Sequence, residues 1–505
     1  LVLRRQRQMC IRDRDINKSS GLIFHPTSLP SRYGIGDLGK ESYEFVDLLS
    51  QSKTSIWQVL PLGITDDIEF SPYSSKSSIL GNPYLVSLDN IKNKIFTSEE
   101  LSEIAYPISN EVNFKIVYKN KNNIFKNISN RINTEDKEYK NYLNNEHIKK
   151  HLTFLTLSEI NEGPWNNWND RYQDYSEELF DEVYNRYLNI FSKNLFLQFE
   201  FNKQWQKLKS YANNNNVSIL GDIPIYVNHN SADVWLNQNL FDLDKNKNMG
   251  FVSGAVPDDF TLEGQVWNTA LYEWDNHQKE DYKYWVDKLN YNLDNYDYLR
   301  IDHFVGFFQF WAIPFGKPAL NGHWRKGPWE TFFEKIAKYV NFDKLLAEDL
   351  GVELNDTTEI LTKYTIPGMK VLQQRIPNKE DNDEIHPDLW DENVVAYTGT
   401  HDSPTIKQWL NESKEQVKYF NKYKTNLITE YDSNVWNFIS MTWQSPCKLA
   451  VTTVQDLLSL GVEGRFNVPG TQKGNWKWRI EDLKNLIAPL EKLKNLNVSC
   501  GRIST

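Results

Sequence analysis

The sequence predicts an α/β fold, a (β/α)8 barrel with large, mainly helical insertions between its strands, and three observations carry that reading. Beyond residue 200, short apolar runs alternate with longer amphipathic stretches, as when strands and helices take turns around a parallel sheet. Four of those runs end abruptly in ionisable residues: VSILGD at Asp222, YLRIDH at Asp302 and His303, LLAED at Glu348 and Asp349, and VVAYTGTHD at His401 and Asp402. Strand ends on one face of a barrel converge, so residues distant in the chain can share a pocket there. Finally, 505 residues without an internal repeat suit one large barrel with insertions and argue against a solenoid or propeller.

Taken in order, residues 1–18 open with the basic run LVLRRQRQMCIRDRD, which has neither helical nor strand period. A nucleic-acid or membrane arm is the sharper reading of such a run; a disordered or artefactual extension is the one composition favours. Residues 19–505 are expected to form a single catalytic barrel domain. From Gly21 to about Asn90 the chain is turn-rich, with a helix near Glu41 to Ser52 and a strand in IWQVLPLG ending at Gly63, a βα unit entering a loop region. Residues 91–200 carry Lys, Asn and Glu at helical spacing and few strand-like runs, which predicts a mainly helical inserted subdomain.

Composition narrows the function classes. With 40% hydrophobic and 25% charged residues the chain is a folded globular protein. Its net charge of −10, without a basic tract interleaved with aromatics, excludes nucleic acid as a partner. Cys10, Cys447 and Cys500 have no CxxC or metal-ligand spacing, which fits a reducing compartment and implies no structural zinc. No apolar stretch approaches the roughly 18 residues that span a bilayer, and the N-terminus lacks the apolar run of a signal peptide, so no membrane association and a cytoplasmic location are expected. The 17 Trp, 26 Tyr and 26 Phe are mostly core aromatics, but their flat faces also suit the C–H faces of sugar rings.

Glycosidic-bond chemistry needs two carboxyl groups, one protonated to help the leaving oxygen depart and one on the other side of the sugar. Carboxylates on neighbouring strand ends can reach the spacing of about 5 to 5.5 Å at which the second attacks the anomeric carbon directly. Arg300 lies on the same strand face as Asp302 by the period-two rule, so its cation can hold Asp302 ionised and aimed, as suits a nucleophile. Glu348 would then be the acid and base, with a pKa raised by burial. Taken singly, an Arg-x-Asp is more often a structural ion pair and a Glu-Asp after an apolar run more often a helix start. Their conjunction favours two-carboxylate chemistry, with a divalent-metal barrel enzyme as the less favoured alternative. Motifs for nucleotide, zinc-protease or serine-hydrolase chemistry, GxGxxG after a strand, GxxxxGK[ST], HExxH and GxSxG, are absent.

These strand ends and their flanks, SGLIFHPTSLPSRYGIGDLG, WQVLPLG, GNPYL, GDIPIYVNHNSADVW, RIDHFVGF, AEDLGV, GMKVLQ, YTGTHD and EGRFNVPGT, resemble the 4-alpha-glucanotransferases of glycoside hydrolase family 77, in the α-amylase superfamily of TIM-barrel enzymes. The likeness runs from about Gly21 to Arg479. It implies that Asp302 is the nucleophile, Glu348 the general acid/base and Asp402 the carboxylate that grips sugar hydroxyls as the ring flattens. It places Asp222, Arg300 and His401 around the reacting sugar, His303 beside the nucleophile, and Tyr73 stacked on that sugar. Residues 254–268, GAVPDDFTLEGQVWN, are similar to the family's active-site loop, in which Phe260, Gln265 and Trp267 match substrate-contacting positions. Asp259 stands where many relatives have tyrosine, Ser403 where asparagine is usual and Asn230 where aspartate is common, while ITDDIEF is less glycine-rich than usual. Altered acceptor preference with retained activity is therefore expected. The resemblance implies retaining transfer between α-1,4-glucan donors and sugar acceptors in starch or glycogen metabolism, with no cofactor. A hydrolytic α-amylase-like enzyme and a non-catalytic glycan-binding protein are the alternatives.

Overall fold

The computed structural model describes residues 18–503 apart from 92–94, 134–135, 258–260, 352–353, 377–385 and 425–426. All but Lys18 of the expected N-terminal extension, together with Cys10, Asp259 and Phe260, lies outside the described residues. Eight strands pair in parallel around one axis: β1 (Ser19–Ile23), β2 (Ile56–Gln58), β3 (Ser218–Pro224), β4 (Tyr298–Asp302), β5 (Leu345–Ala347), β6 (Gly368–Val371), β7 (Val394–Tyr397) and β8 (Leu449–Thr453). Each pairs with its sequence neighbour and β8 returns to β1, with Ser19 opposite Leu449. The remaining seam, between β5 and β6, is joined by the Ala347 N–H donating to the Pro367 carbonyl at 2.9 Å. Parallel strands are covered on both faces, which is why these segments read as near-continuous apolar runs. The four runs with ionisable ends are β3, β4, β5 and β7.

Close packing at the barrel constrains single positions. A Cβ at Gly221 in β3 would lie 2.3 Å from the Tyr296 ring, so β3 approaches the entry to β4 only with glycine there. Among the described residues, six helices run between β2 and β3, Ser98–Glu103, Phe114–Phe125, Lys137–Leu143, Glu146–Ile160, Glu177–Arg186 and Leu188–Asn214, besides short 3-10 turns. The last of them clamps the loop after β2. Gln198 accepts from the Gly81 N–H (2.8 Å) and donates to its carbonyl (2.7 Å), and Gln204 does the same to Ser87 (2.8 and 3.2 Å). These paired amides satisfy buried backbone groups that no strand reaches and so hold the loop that carries Tyr73.

A second, antiparallel sheet is inserted between β3 and β5 and comprises, in spatial order, Val227–Asn228, Gln265–Ala270, Phe251–Ala255, Gln309–Pro314 and His323–Lys326. Residues 254–268 thus leave one strand of this sheet and return along the next. Alternation places Gln265 and Trp267 on one face and Val266 on the other. At the C-terminus, fully buried Arg502 donates to the carbonyls of Trp443 (2.7 Å), Cys447 and Ser445 (both 2.9 Å) and Ser19 (3.1 Å), tying the chain end to the starts of β1 and β8. Among the described residues no helix is long and apolar enough to cross a membrane.

Candidate active site

Arg300, on β4, is the cation around which the strand ends are organised. Its Nη1 lies 2.7 Å from Asp222 Oδ2 and 2.8 Å from Asp302 Oδ1, and the side chain is almost fully buried. Burial alone would lower the guanidinium pKa; Asp222 and Asp302 overcome that and hold it well above its ordinary value. Asp222 is buried too, and burial outweighs Arg300 in raising its carboxyl to about 6. The Tyr73 hydroxyl donates to Asp222 Oδ2 at 2.9 Å, so the loop after β2 meets the end of β3 at this point. Asp302 is the more open of the two carboxylates, its side chain 28% exposed against 0% for Asp222, and it can reach a ligand.

Glu348 follows β5 directly, next to β4 in the barrel, so Asp302 and Glu348 occupy adjacent strand ends. His303 turns out of β4 with φ 52°, a left-handed conformation uncommon for a side-chain-bearing residue, and its N–H thereby donates to Glu348 Oε2 at 2.7 Å. The Leu350 N–H donates to Oε1 at 3.0 Å. Burial dominates this environment and, with Asp302 adding negative charge, raises Glu348 to about 8 despite Arg300 and the two N–H donors. Two carboxyl groups on neighbouring strands are thus set apart, one paired with a guanidinium and one favoured as the neutral acid.

Asp402 lies beyond β7. Its Oδ1 accepts from Asn467 Nδ2 at 2.6 Å, its Oδ2 lies 3.3 Å from His401 Nε2, and its carbonyl accepts from Arg465 at 2.8 Å. Burial pushes this carboxyl up, but His401 and Asn467 outweigh it and hold Asp402 at about 2. His401 Nε2 also lies 2.9 Å from the Tyr73 oxygen, and the two rings stack with centroids 5.3 Å apart. Asp402 in turn overcomes burial and raises the His401 pKa.

A barrel with four carboxylates, Asp222, Asp302, Glu348 and Asp402, gathered at the strand ends and a buried arginine among them matches a known group. The family profile described as 4-alpha-glucanotransferase covers residues 24–485. The chain belongs to the 4-alpha-glucanotransferase family. It is 37% identical to the 4-alpha-glucanotransferase of Aquifex aeolicus, over 92% of this chain and 95% of that one. It is 34% identical to the chloroplastic/amyloplastic 4-alpha-glucanotransferase of Solanum tuberosum, over 97% and 88%. The amylomaltase of Streptococcus agalactiae, solved in complex with acarbose, superposes with a TM-score of 0.90 at 29% identity, over 96% of this chain and all of that one. The Corynebacterium glutamicum amylomaltase shares the fold, with a TM-score of 0.75 at 16% identity, over 96% of this chain and 75% of that one. This chain is accordingly a glycosyl-transferring enzyme.

The remaining candidate residues of this transferase fall into two groups. Trp267 packs edge-on against His303, ring centroids 4.8 Å apart, and its indole N–H donates to Gln265 Oε1 at 3.1 Å, so the second sheet reaches the end of β4 through these two residues. Burial lowers the His303 imidazole to about 4 and favours its neutral form. Phe260 lies outside the described residues. The departures at Asn230 and Ser403 serve backbone: Asn230 accepts from the Trp165 N–H at 3.2 Å and Ser403 from the Thr400 N–H at 3.0 Å. Sequence reasoning gave no role to Asn467 and Arg465, which hold Asp402, nor to Trp476, whose ring lies 5.9 Å from Tyr73 and 6.1 Å from His401. Asn467 and Arg465 lie within the EGRFNVPGT motif, but nothing local ties that motif to a carboxylate 65 residues upstream.

Proposed function

We propose that this 4-alpha-glucanotransferase works by double displacement, with Asp302 as nucleophile, Glu348 as acid and base, and Asp402 bound to sugar hydroxyls. The carrying observation is the divergence of two neighbouring strand-end carboxyl groups: Glu348, raised to about 8, holds a proton at neutral pH, while Asp302 rests on Arg300 at 2.8 Å. In the first step Glu348 gives its proton to the bridging oxygen, an Asp302 oxygen bonds to the donor's anomeric carbon, and the C–O bond to the departing glucan breaks. In the second, an acceptor hydroxyl attacks that carbon, its proton passes to Glu348, and the bond to Asp302 breaks. Two inversions leave the anomeric configuration retained. Asp402, kept ionised by His401 and Asn467, assists when its hydroxyl contacts tighten in the transition state.

Tyr73, Asp222, Arg300, His303 and His401 surround the reacting sugar in this reading, and Gln265 and Trp267 contact the acceptor side with Phe260. The acarbose complex of the Streptococcus agalactiae relative supports an oligosaccharide-shaped site. Asp259, in place of a stacking tyrosine, weakens aromatic acceptor contacts and shifts acceptor preference. A cytoplasmic location is supported by the free thiols of Cys447 and Cys500. Incubating pure protein with maltotriose tests the reaction: a ladder of longer maltooligosaccharides plus glucose is expected, and shortening alone would refute transfer. Asp302→Asn is expected to abolish turnover while sparing maltooligosaccharide binding; retained turnover would remove Asp302 as nucleophile.

A further inference from the structure

A small cavity lies inside the barrel beside His401, lined by His25, Ser28, His401, Thr453, Gln455 and Phe466 among others. His25 follows β1, and His401 is the other titratable residue lining the space. Both imidazoles are deeply buried, His25 7% and His401 4% exposed, and in each the Nδ1 atom has no hydrogen-bond partner. Buried polar nitrogens are rarely left unpaired. The free volume, about 10 Å³, is at the lower limit for one water, which needs two or more polar partners.

We propose that this cavity holds an ordered water joining His25 Nδ1 to His401 Nδ1, and that His25 is through it a positioning residue for His401 and Asp402. The hydrogen-bond directions require such a partner. Tyr73 spends its proton on Asp222, so its oxygen accepts from His401 Nε2–H. Neutral His401 therefore carries its lone pair on Nδ1 and needs a donor there. The water supplies one hydrogen to His401 and the other to His25. When His401 is the imidazolium, the water turns, accepts from Nδ1–H and still donates to His25. In its Nε2–H tautomer His25 accepts in both states, and burial, with His401 nearby, keeps it neutral by lowering its pKa to about 3. On the Nε2 side His401 faces Asp402, Asp222 and Arg300. Fixing the Nε2–H form matters because the other tautomer would turn a lone pair toward the Asp402 carboxylate 3.3 Å away.

The inference rests on the part proposed for Asp402, and the experiment separates the two. A crystal structure of the full chain, at a resolution that places waters, should show one within hydrogen-bond reach of both nitrogens; a dry cavity overturns the proposal. His25→Leu should lower kcat with maltotriose roughly 10-fold or more, as loss of an orienting partner does, with KM changed less than about twofold. His25→Gln, whose amide can meet the same water, should restore most of kcat. An unchanged kcat in His25→Leu, or equal impairment of both variants, overturns it. If the leucine variant does not fold, the ¹⁵N shift of His401 Nδ1 in the wild type decides, a hydrogen-bonded nitrogen supporting the proposal and a free one overturning it. Inactive Asp402→Asn beside fully active His25→Leu would sink this inference alone, whereas active Asp402→Asn would sink both.

Discussion

Replacing Glu348 by glutamine should abolish transfer and yet, above neutral pH, leave the protein more heat-stable than the wild type. Burial is the main reason the carboxyl is raised from its ordinary 4.5 to about 8. Between those values the folded protein keeps a proton that the unfolded chain has lost, so wild-type stability falls as pH rises. The fall is about 1.4 kcal/mol per pH unit, and over that interval it amounts to about 5 kcal/mol. Glutamine titrates nowhere in this range and lacks the slope. Against this, Glu348 accepts N–H groups from His303 and Leu350 on different oxygens, and an amide oxygen serves one of them. The other N–H then faces an NH2 group, a pH-independent loss of about 1 to 2 kcal/mol. The variant should therefore be slightly less stable near pH 5 and about 3 kcal/mol more stable above pH 8. With an unfolding entropy of about 2.1 cal/mol/K per residue, a chain of this size moves about 1 °C per kcal/mol, so the Tm difference between variant and wild type should change by about 4 °C. Scanning calorimetry of both proteins from pH 5 to 8.5 measures it. Parallel Tm curves would refute a buried, raised carboxyl at Glu348. In the wild type kcat should fall as pH rises through about 8, since the acid must carry its proton.

Asn467→Ala removes a 2.6 Å bond to Asp402 and should lower kcat roughly 10-fold, the worth of a hydrogen bond to a charged group; wild-type kinetics in this variant would separate Asn467 from the site. The stability from the lowered Asp402 pKa is present above the ordinary carboxylate value and lost as pH falls toward about 2, so this variant should differ most from the wild type above pH 4. Arg502→Ala strips partners from four carbonyls and should lower Tm by roughly 3 to 5 °C at the entropy above. Its kcat should be unchanged at temperatures well below that Tm, and an unshifted Tm would show that the C-terminal tether bears no load.

The strand ends were legible in the sequence because their signal is local. An apolar run reads as a covered parallel strand, and an Asp, Glu or His where it stops reads as a residue placed at the barrel mouth; Asp222, Asp302, Glu348 and His401 all announce themselves this way. The arginine two residues before Asp302 was legible for the same reason, since alternation alone puts both on one face. The long flanking motifs then led to the 4-alpha-glucanotransferase family and, by resemblance, to Tyr73, Trp267 and the role expected of Asp402.

Tertiary packing decided how those groups are tuned. Which carboxyl is neutral depends on burial, which at Glu348 outweighs Arg300 and the N–H groups that His303 and Leu350 aim at it, and the left-handed turn at His303 has no signature in its side chain. Asp402 owes its low pKa first to His401 beside it and then to Asn467, 65 residues away, and Tyr73 meets Asp222 across 149 residues. The seam between β5 and β6 is equally a matter of closure, since one backbone bond there completes a ring that no single segment encodes. Residue type and period are properties of neighbours in the chain, so the sequence by itself determined the fold class and the catalytic candidates. Solvation, charge compensation and the second set of partners, His25 and Asn467 among them, exist only once distant segments pack together, and only the tertiary structure decided them.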